Sequence, residues 1–210
     1  MNTRILKIDP DAVRPDAIRE IARILAADGV IVYPTDTFYG LGANCLSRRA
    51  LRRIFEIKKR PGSKGLPVLI SDVEMAERLA SGLPPVFAVL TNRFWPGPLT
   101  VVLRAASDLP PELVGPDRTI GLRLPAVPWL RALIRFTSVP LVTTSANLSG
   151  QGEIGSAGGV KRIFEGKVEL IVDGGRTRGG KPSTVIDLSG EQPALIREGV
   201  LGKKALAGFI

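Results

Sequence analysis

Short apolar segments bounded by proline and glycine set the strongest limit on how this chain can fold. Each segment has three to six residues, which is too short for a buried helix but typical of a β-strand. The predicted strands cover residues 30–33, 99–104, 120–124, 141–144, 170–172, 184–186 and 194–197. Helical patterns lie among them without a regular strand–helix–strand alternation. The sequence therefore predicts one α/β domain over residues 1–210 with a mixed sheet.

Residues that typically start and stop helices predict four helices. They are a helix over 15–28 ended by Gly29, a helix from after Ser47 to about Arg60 stopped by Pro61, a helix with a Ser71/Glu74 capping box, and a helix opened by Pro128. Two glycine-rich stretches, 150–159 and 174–180, are predicted to be loops rather than linkers between domains.

The charge balance of the chain is strongly basic. Its 210 residues include 29 Lys and Arg against 20 Asp and Glu, which gives a net charge of +9. This excess predicts anionic partners such as nucleotides or nucleic acid, although a generally basic surface would give the same balance. The chain has no histidine, which excludes a Ser-His-Asp triad and removes the usual proton shuttle near neutral pH.

Cysteine use and the N-terminal segment predict a cytoplasmic protein. The single Cys45 cannot form an internal disulfide, and without histidine it also excludes a structural zinc site. Arg4, Lys7 and Asp9 interrupt the N-terminal segment, so no signal peptide is expected. No uncharged stretch is long enough to span a bilayer, and we expect no association with membranes.

A glycine-rich segment near the C-terminus approaches a P-loop but departs from it at the last position. Gly175, Gly180 and Lys181 have the spacing of that motif, yet Pro182 stands where a Ser or Thr would hold Mg²⁺. The residues that follow predict a strand where the motif requires a helix. Residues 40–42, Gly-Leu-Gly, lack the third glycine of a dinucleotide-binding fingerprint and indicate only a turn.

Lys58 lies on the apolar side of the second predicted helix. At about 100° per residue it shares an arc with Leu51 and Ile54, whereas the four arginines at 48, 49, 52 and 53 share a face that we expect to be solvated. An ammonium on the apolar arc either extends past the core to water or points into a cleft, where it can meet a phosphate.

Two further groups of polar residues suggest phosphate chemistry. Arg60 and Lys64 follow Lys58 around a glycine-containing turn, and the three cations predict a cradle for a triphosphate. Ser145 and Asn147 place hydroxyl and amide groups at the end of a predicted strand, where they can orient phosphate or carbamate oxygens.

Six segments of the chain recur in a fixed order in one known family. They are 33–42 (YPTDTFYGLG), 58–61 (KKRP), 95–100 (WPGPLT), 120–125 (IGLRLP), 145–150 (SANLSG) and 182–187 (PSTVID). Each is weak alone, but together, over about residues 5–199, they resemble the YrdC-like family and in particular its threonylcarbamoyl-AMP synthases.

The resemblance implies a fold and a reaction. The implied fold is a single YrdC-like domain, in which a twisted mixed β-sheet and helices surround a concave basic cavity. The implied enzyme is a nucleotidyltransferase that joins L-threonine, bicarbonate and ATP into threonylcarbamoyl-AMP and pyrophosphate, with Mg²⁺ bound to the ATP. Partner proteins would transfer the threonylcarbamoyl group to an adenosine beside the anticodon of tRNA, and binding of tRNA or double-stranded RNA is possible.

The resemblance also assigns residues. Its diagnostic Lys-x-Arg and Ser-x-Asn pairs match the residues implied as catalytic, which are Lys58, Arg60, Ser145 and Asn147. The positions implied for ATP are Arg60, Lys64, Thr119, Asn147 and Arg197. The positions implied for threonine are Thr35, Arg123, Ser145 and Ser183. No cluster of Asp and Glu in the sequence indicates a metal site built by the protein, so Mg²⁺ is expected to arrive on the nucleotide.

Two departures from the family pattern affect these expectations. Many members have a histidine that touches threonine where this chain has Leu69, which predicts weaker threonine binding. Longer members also add a C-terminal domain that closes over the site. Since this chain ends at Ile210, we expect any closure to come from its own loops.

Three other functions compete with the synthase. A non-enzymatic RNA-binding module would account for the net charge, but the arginines of the second helix are not interleaved with stacking aromatics. The family's carbamoyl-transfer branch in hydrogenase maturation carries further zinc-finger and acyl-phosphatase regions for which this chain has no room. A sister branch of unclear activity lacks the Lys-x-Arg and Ser-x-Asn pairs, and both pairs are present here.

Overall fold

The computed structural model describes residues 2–59, 65–148 and 150–209. Within these residues ten strands form one sheet and seven α-helices pack around it. The strands are β1 (Arg4–Lys7), β2 (Ile31–Pro34), β3 (Tyr39–Asn44), β4 (Val68–Leu69), β5 (Leu99–Arg104), β6 (Thr119–Arg123), β7 (Leu141–Ser145), β8 (Leu170–Asp173), β9 (Thr184–Asp187) and β10 (Ala194–Arg197). The helices are α1 (Pro15–Ala26), α2 (Arg48–Lys58), α3 (Val73–Leu79), α4 (Pro85–Phe94), α5 (Pro128–Thr137), α6 (Ala157–Phe164) and α7 (Lys203–Leu206).

The sheet is mixed, as the sequence predicted. Its strand order is β1-β8-β2-β3-β7-β4-β6-β5-β9-β10. The pairs β1/β8, β2/β8, β4/β6 and β5/β9 are parallel, and the other five neighbouring pairs are antiparallel. All seven predicted strands are present with their ends shifted by at most one residue, whereas β1, β3 and β4 were not predicted.

Helices cover the sheet because each presents an apolar stripe to it. In α1, Ile18, Ile21 and Leu25 recur at spacings of three and four residues and are buried. The same helix packs against α5, which buries its own Leu130 and Leu133. No helix in the described part of the chain combines the length and the apolar character that crossing a bilayer requires.

The Gly-Leu-Gly segment at 40–42 is part of strand β3, so the prediction of a turn is wrong. Tyr33 in β2 is fully buried, and its ring lies against both glycines. A Cβ atom at Gly42 would lie 2.9 Å from a carbon of that ring and 2.3 Å from the carbonyl oxygen of Val142 in β7. Glycine is needed here because the ring and the neighbouring strand approach the backbone so closely.

Four helix boundaries also differ from the sequence prediction. Helix α1 ends at Ala26, two residues before the predicted end at 28. Helix α3 is capped by Asp72 and not by the Ser71/Glu74 box, because the carboxylate accepts the N–H of Met75 at 2.9 Å and is itself held by the Ser71 hydroxyl at 2.6 Å. Helix α2 ends at Lys58, and Lys59 turns the chain with φ of 51°. The stretch 150–159, predicted as a loop, enters α6 at its last three residues after a Ser156 cap.

We predict that Gly42→Ala destabilises the protein by about 1–3 kcal/mol, the usual range for inserting a methyl group into a packed site. Gly158→Ala is the matched control, because a Cβ at that helical position meets nothing within 4 Å. Alanine there should stabilise by about 0.5–1 kcal/mol. Urea unfolding of the two variants measures both effects. Equal changes in the free energy of unfolding would contradict the close packing of β3 against β7.

Candidate functional site

A cleft of about 580 Å³ lies across one face of the sheet. Its floor is formed by alternate residues of adjacent strands, for example Thr100 and Val102 in β5 and Thr119, Gly121 and Arg123 in β6. This alternation follows from the pleat, because every second residue of a strand faces the same side. The loop after β2, the segment after β7 and strand β10 form the walls.

The cleft brings together most of the site residues predicted from the sequence. Six of them line it: Thr35, Thr119, Arg123, Ser145, Ser183 and Arg197. Lys58 and Asn147 are buried and contact Ser145, but they are not among the lining residues. Arg60 and Lys64 lie outside the described residues, and the triphosphate cradle predicted from them therefore stays a prediction.

Lys58 holds the Ser-x-Asn segment from the buried side. Its side chain is 3 % exposed, and its Nζ donates to the carbonyl oxygens of Ser145 at 2.5 Å and Asn147 at 2.8 Å, and to Asn147 Oδ1 at 2.9 Å. The Ser145 hydroxyl donates to the same Oδ1 at 2.7 Å. The apolar arc of α2 thus carries the ammonium to the end of β7. It reaches neither bulk water nor the lining of the cleft, which were the two outcomes that the sequence left open.

Asp36 is a site residue that the sequence analysis did not single out. Arg123 is 7 % exposed, and its Nη2 lies 2.5 and 2.6 Å from the two carboxylate oxygens of Asp36. Its Nε donates to the Gly97 carbonyl at 3.0 Å. The pair neutralises a charge that would be costly to bury alone, and it fixes the guanidinium plane at the cleft.

Ser183 connects the positions predicted for threonine and for ATP. Arg197 donates through Nε and Nη2 to the Ser183 carbonyl at 3.1 and 2.8 Å, and through Nη2 to the hydroxyl at 3.1 Å. The buried Thr100 hydroxyl lies 3.1 Å from the same Ser183 oxygen. Thr100 is a further residue that the sequence analysis did not assign, although it lies in the matching Trp-Pro-Gly-Pro-Leu-Thr segment.

Two predicted hydroxyls are oriented by their own turns. Thr35 Oγ1 donates to the Phe38 carbonyl at 2.6 Å, and Thr119 Oγ1 donates to the Pro116 carbonyl at 2.8 Å. The Thr35 oxygen also accepts the backbone N–H of Thr37 at 3.1 Å, whereas the lone pairs of the Thr119 oxygen can accept from a donor on a ligand.

Glu153 is a carboxylate in the wall of the cleft. Burial raises its pKa above the usual range, and the nearby charges of Arg197 and Lys58 oppose that rise. Burial also lowers the pKa of the Arg197 guanidinium, while Glu153 acts in the opposite direction. Nothing in the sequence singled out Glu153, because it lies in a glycine-rich stretch predicted only as a loop.

The described lining of the cleft carries both signs of charge. Its cations are Arg123 and Arg197, and its carboxylates are Asp117, Glu153 and Asp187. The basic character implied by the resemblance depends on Arg60 and Lys64 and stays a prediction. Among residues 2–59, 65–148 and 150–209, no three His, Cys, Asp or Glu side chains are grouped so that they could hold a metal ion.

Leu69 is buried at 2 % exposure and does not line the cleft. It pairs with Arg123 across β4 and β6, so its side chain shares the sheet face on which that arginine lies. The effect of Leu69 on threonine binding stays a prediction, and a polar side chain at this position would lie beside Arg123.

The arginines of α2 are partly neutralised by acidic residues. Arg48 and Arg52 both pair with Glu112, at 3.1 and 2.9 Å, and hydrogen bonds from these arginines, chiefly Arg48, lower the pKa of that carboxyl. Arg53 pairs with Glu169 at 2.8 Å. These partly exposed pairs reduce the free positive charge of the face.

A second groove, of about 600 Å³, lies between the C-terminal ends of α1 and α5. It is lined mainly by apolar residues, including the exposed Phe136, and it contains none of the predicted site residues. The polar groups that can bind and align anions converge in the cleft on the sheet and not in this groove, so we assign the candidate site to the cleft.

The chain is similar to proteins with known names and structures. A threonylcarbamoyl-AMP synthase of Pyrococcus abyssi is 42 % identical over 184 residues, which are 88 % of this chain and 54 % of that protein. A crystal structure of P. abyssi Sua5 complexed with L-threonine is 39 % identical, with a TM-score of 0.93, and is matched over 99 % of this chain and 62 % of that one. This chain thus spans little more than half the length of these relatives.

A third related protein matches this chain in length as well as in fold. The crystal structure of Escherichia coli YciO is 30 % identical with a TM-score of 0.90, and the match covers 99 % of this chain and all of that one. The curated name of that relative is uncharacterized protein YciO. The profile of the Sua5/YciO/YrdC family, described as telomere recombination, matches residues 23–199. Because that profile matches most of its length, this chain belongs to the Sua5/YciO/YrdC family.

Proposed function

We propose that this protein forms threonylcarbamoyl-AMP and pyrophosphate from L-threonine, bicarbonate and ATP. The observation that carries the proposal is the convergence of six predicted substrate-binding residues in one cleft, next to a buried lysine that holds the Ser-x-Asn segment. A nucleotidyltransferase needs such a place, because two anionic reactants must be aligned and their charge neutralised.

The relatives support the same reaction class. Proteins named threonylcarbamoyl-AMP synthase share 37–42 % identity over most of this chain, and one related structure is described as a complex with L-threonine. The non-enzymatic RNA-binding alternative is not favoured. The basic face of α2 that motivated it is partly neutralised by Glu112 and Glu169.

In this proposal Arg123 and its neighbours hold the amino acid. A guanidinium presents a planar set of donors to a carboxylate, and Arg123 is kept in one orientation by Asp36 and by the Gly97 carbonyl. The Thr35 oxygen and the Ser183 hydroxyl lie in the same cleft, where they can meet the other polar groups of threonine.

The attack on the α-phosphorus needs alignment more than proton transfer. The amine of threonine and bicarbonate give a carbamate, whose anionic oxygen attacks the α-phosphorus of ATP while pyrophosphate leaves. In the proposal Lys58 fixes the Ser145–Asn147 segment against which these oxygens align, and Thr119 and Arg197 bind the nucleotide. In the proposal Mg²⁺ enters with the phosphates of ATP as part of that substrate.

The cellular setting belongs to the same proposal. Threonylcarbamoyl-AMP is an activated acyl donor, so a threonylcarbamoyl transferase acting on tRNA would use it, and this protein would work in the cytoplasm. Direct contact with tRNA or double-stranded RNA would use the net charge of +9.

The decisive experiment is an assay of pyrophosphate release with single omissions. The complete mixture of ATP, Mg²⁺, L-threonine and bicarbonate should release pyrophosphate, and omission of either threonine or bicarbonate should abolish the release. Equal release without threonine would indicate a different nucleotide enzyme. Absence of turnover together with tight, salt-dependent RNA binding would instead support the non-enzymatic alternative.

Lys58→Ala should lower kcat about ten- to a hundred-fold. The reason is that the variant loses the charge-assisted contacts that hold the Ser145–Asn147 segment, and a single contact of this kind is worth roughly 1.5–3 kcal/mol. Lys59→Ala is the matched control, since its exposed side chain lies outside the apolar arc, and it should be nearly silent. Thermal melting of both variants checks that the fold persists. Equal losses of kcat in the two variants would refute the role assigned to the buried ammonium.

Arg123→Lys should raise the KM for threonine far more than the KM for ATP. Lysine keeps the charge that faces Asp36 but loses the planar donor set that suits a carboxylate. Steady-state kinetics with each substrate varied in turn measures the two constants. A larger effect on ATP would mean that the threonine and ATP positions must be exchanged.

A further inference from the structure

Glu153 is held in the cleft by the chain on both sides of it. The carbonyl of Gln151 accepts the side-chain amide of Asn147 at 2.5 Å. The carbonyl of Ile154 accepts the N–H of Tyr39 in β3 at 2.9 Å, and the carbonyl of Gly155 accepts the N–H of Thr177 at 3.0 Å. These contacts tie the segment to the sheet and to the Ser-x-Asn residues, so the position of Glu153 is a built feature of the site.

The carboxylate of Glu153 is not committed to a protein partner. Among the described residues it accepts no hydrogen bond and forms no ion pair within 4 Å, although it lines the cleft. The charged groups that act on it are Arg197 from β10 and Lys58 from α2. A carboxylate whose pKa is raised by burial is a better proton acceptor than one in water, because its charged form is less well solvated.

The other acidic residues around the cleft are less suited to accept a proton. Asp36 is paired with Arg123. Asp187 accepts the backbone N–H of Ser189 at 2.8 Å and its hydroxyl at 2.6 Å, and Asp117 is exposed on the 3₁₀ turn before β6. Glu153 is therefore the lining carboxylate that is half-buried and uncommitted.

The proposed reaction needs a base for the amino group of threonine, and the sequence analysis assigned none. The amino group of free threonine is an ammonium near neutral pH, and an ammonium has no lone pair with which to attack carbon. A base must take one proton before the amine can combine with bicarbonate. The chain has no histidine, which would usually serve this role.

We propose that Glu153 is the base that accepts this proton from the ammonium of the amino-acid substrate. The Glu153 carboxylate becomes a carboxylic acid as the ammonium becomes an amine. The amine nitrogen then forms a bond to the carbon of bicarbonate, and loss of water leaves the carbamate. The proton on Glu153 returns to solvent through the open cleft. This role rests on the proposed function and adds a catalytic residue to it.

The pH dependence of kcat/KM for threonine tests the role of Glu153. In the wild type the rate should fall as pH falls through the pKa of Glu153, because the protonated carboxyl cannot accept a proton. In Glu153→Gln this fall at acidic pH, the acidic limb of the pH profile, should be absent. The value of kcat/KM at neutral pH should be lower by about 100-fold, a typical contribution of a general base. Glu191→Gln, which removes the same charge from an exposed turn, should match the wild type.

A ligand without the amino group separates this role from general damage to the site. The analogue in which a hydroxyl replaces the amino group of threonine should inhibit the wild type and Glu153→Gln with equal constants. Should Glu153→Gln fold poorly, Glu153→Asp replaces it and should keep the acidic limb at reduced rate, because it keeps a carboxylate.

Two results would overturn the role of Glu153. One is a Glu153→Gln enzyme whose pH profile and kcat/KM equal those of Glu191→Gln. The other is a loss of affinity for the analogue in Glu153→Gln that is as large as the loss of kcat/KM for threonine. That result would show that Glu153 only shapes the cleft. A wild-type protein that releases no pyrophosphate in response to threonine would fail the proposed function itself, and that result is seen before any variant is made.

Discussion

The burial of one ammonium group, that of Lys58, organises the centre of this structure. A charge with 3 % exposure is tolerated only where polar atoms replace water, and here the two carbonyls of Ser145 and Asn147 and an amide oxygen do so. Those contacts join the last turn of α2 to the end of β7. Since Asn147 also holds the Gln151 carbonyl, the position of the following segment depends on the same lysine.

The sheet determines where the other polar side chains of the cleft lie. Strand β6 places Thr119 at one end and Arg123 at the other, and the pleat directs both to the same face. Arg123 meets Asp36 although the two are 87 positions apart, because the loop after β2 reaches over this face. A mixed sheet is suited to this arrangement, since loops from distant parts of the chain end close together.

The sequence was a good guide wherever the determining interactions are local. The strands at 99–104 and 194–197 have the predicted bounds, and Lys58 is buried with the apolar arc of α2 on which the helical pattern placed it. The sequence was a poor guide where contacts between distant parts of the chain determine the local structure. Gly-Leu-Gly at 40–42 has the composition of a turn, and only the ring of Tyr33 and the carbonyl of Val142 explain why a strand needs glycine there. The Asp36 contact and the placement of Glu153 gave no local signal for the same reason.

The contacts of Ser183 link the position proposed for threonine to the position proposed for ATP. Its carbonyl and hydroxyl both accept hydrogen bonds from Arg197, which is assigned to the nucleotide, while Ser183 itself is assigned to threonine. Thr100 contacts the same hydroxyl from the sheet. A ligand that draws Arg197 away frees the Ser183 oxygens, so under the proposed assignments occupancy of one position changes the hydrogen-bonding capacity of the other. Under those assignments threonine and ATP would share one network, in which a change at Arg197 would alter the binding of both.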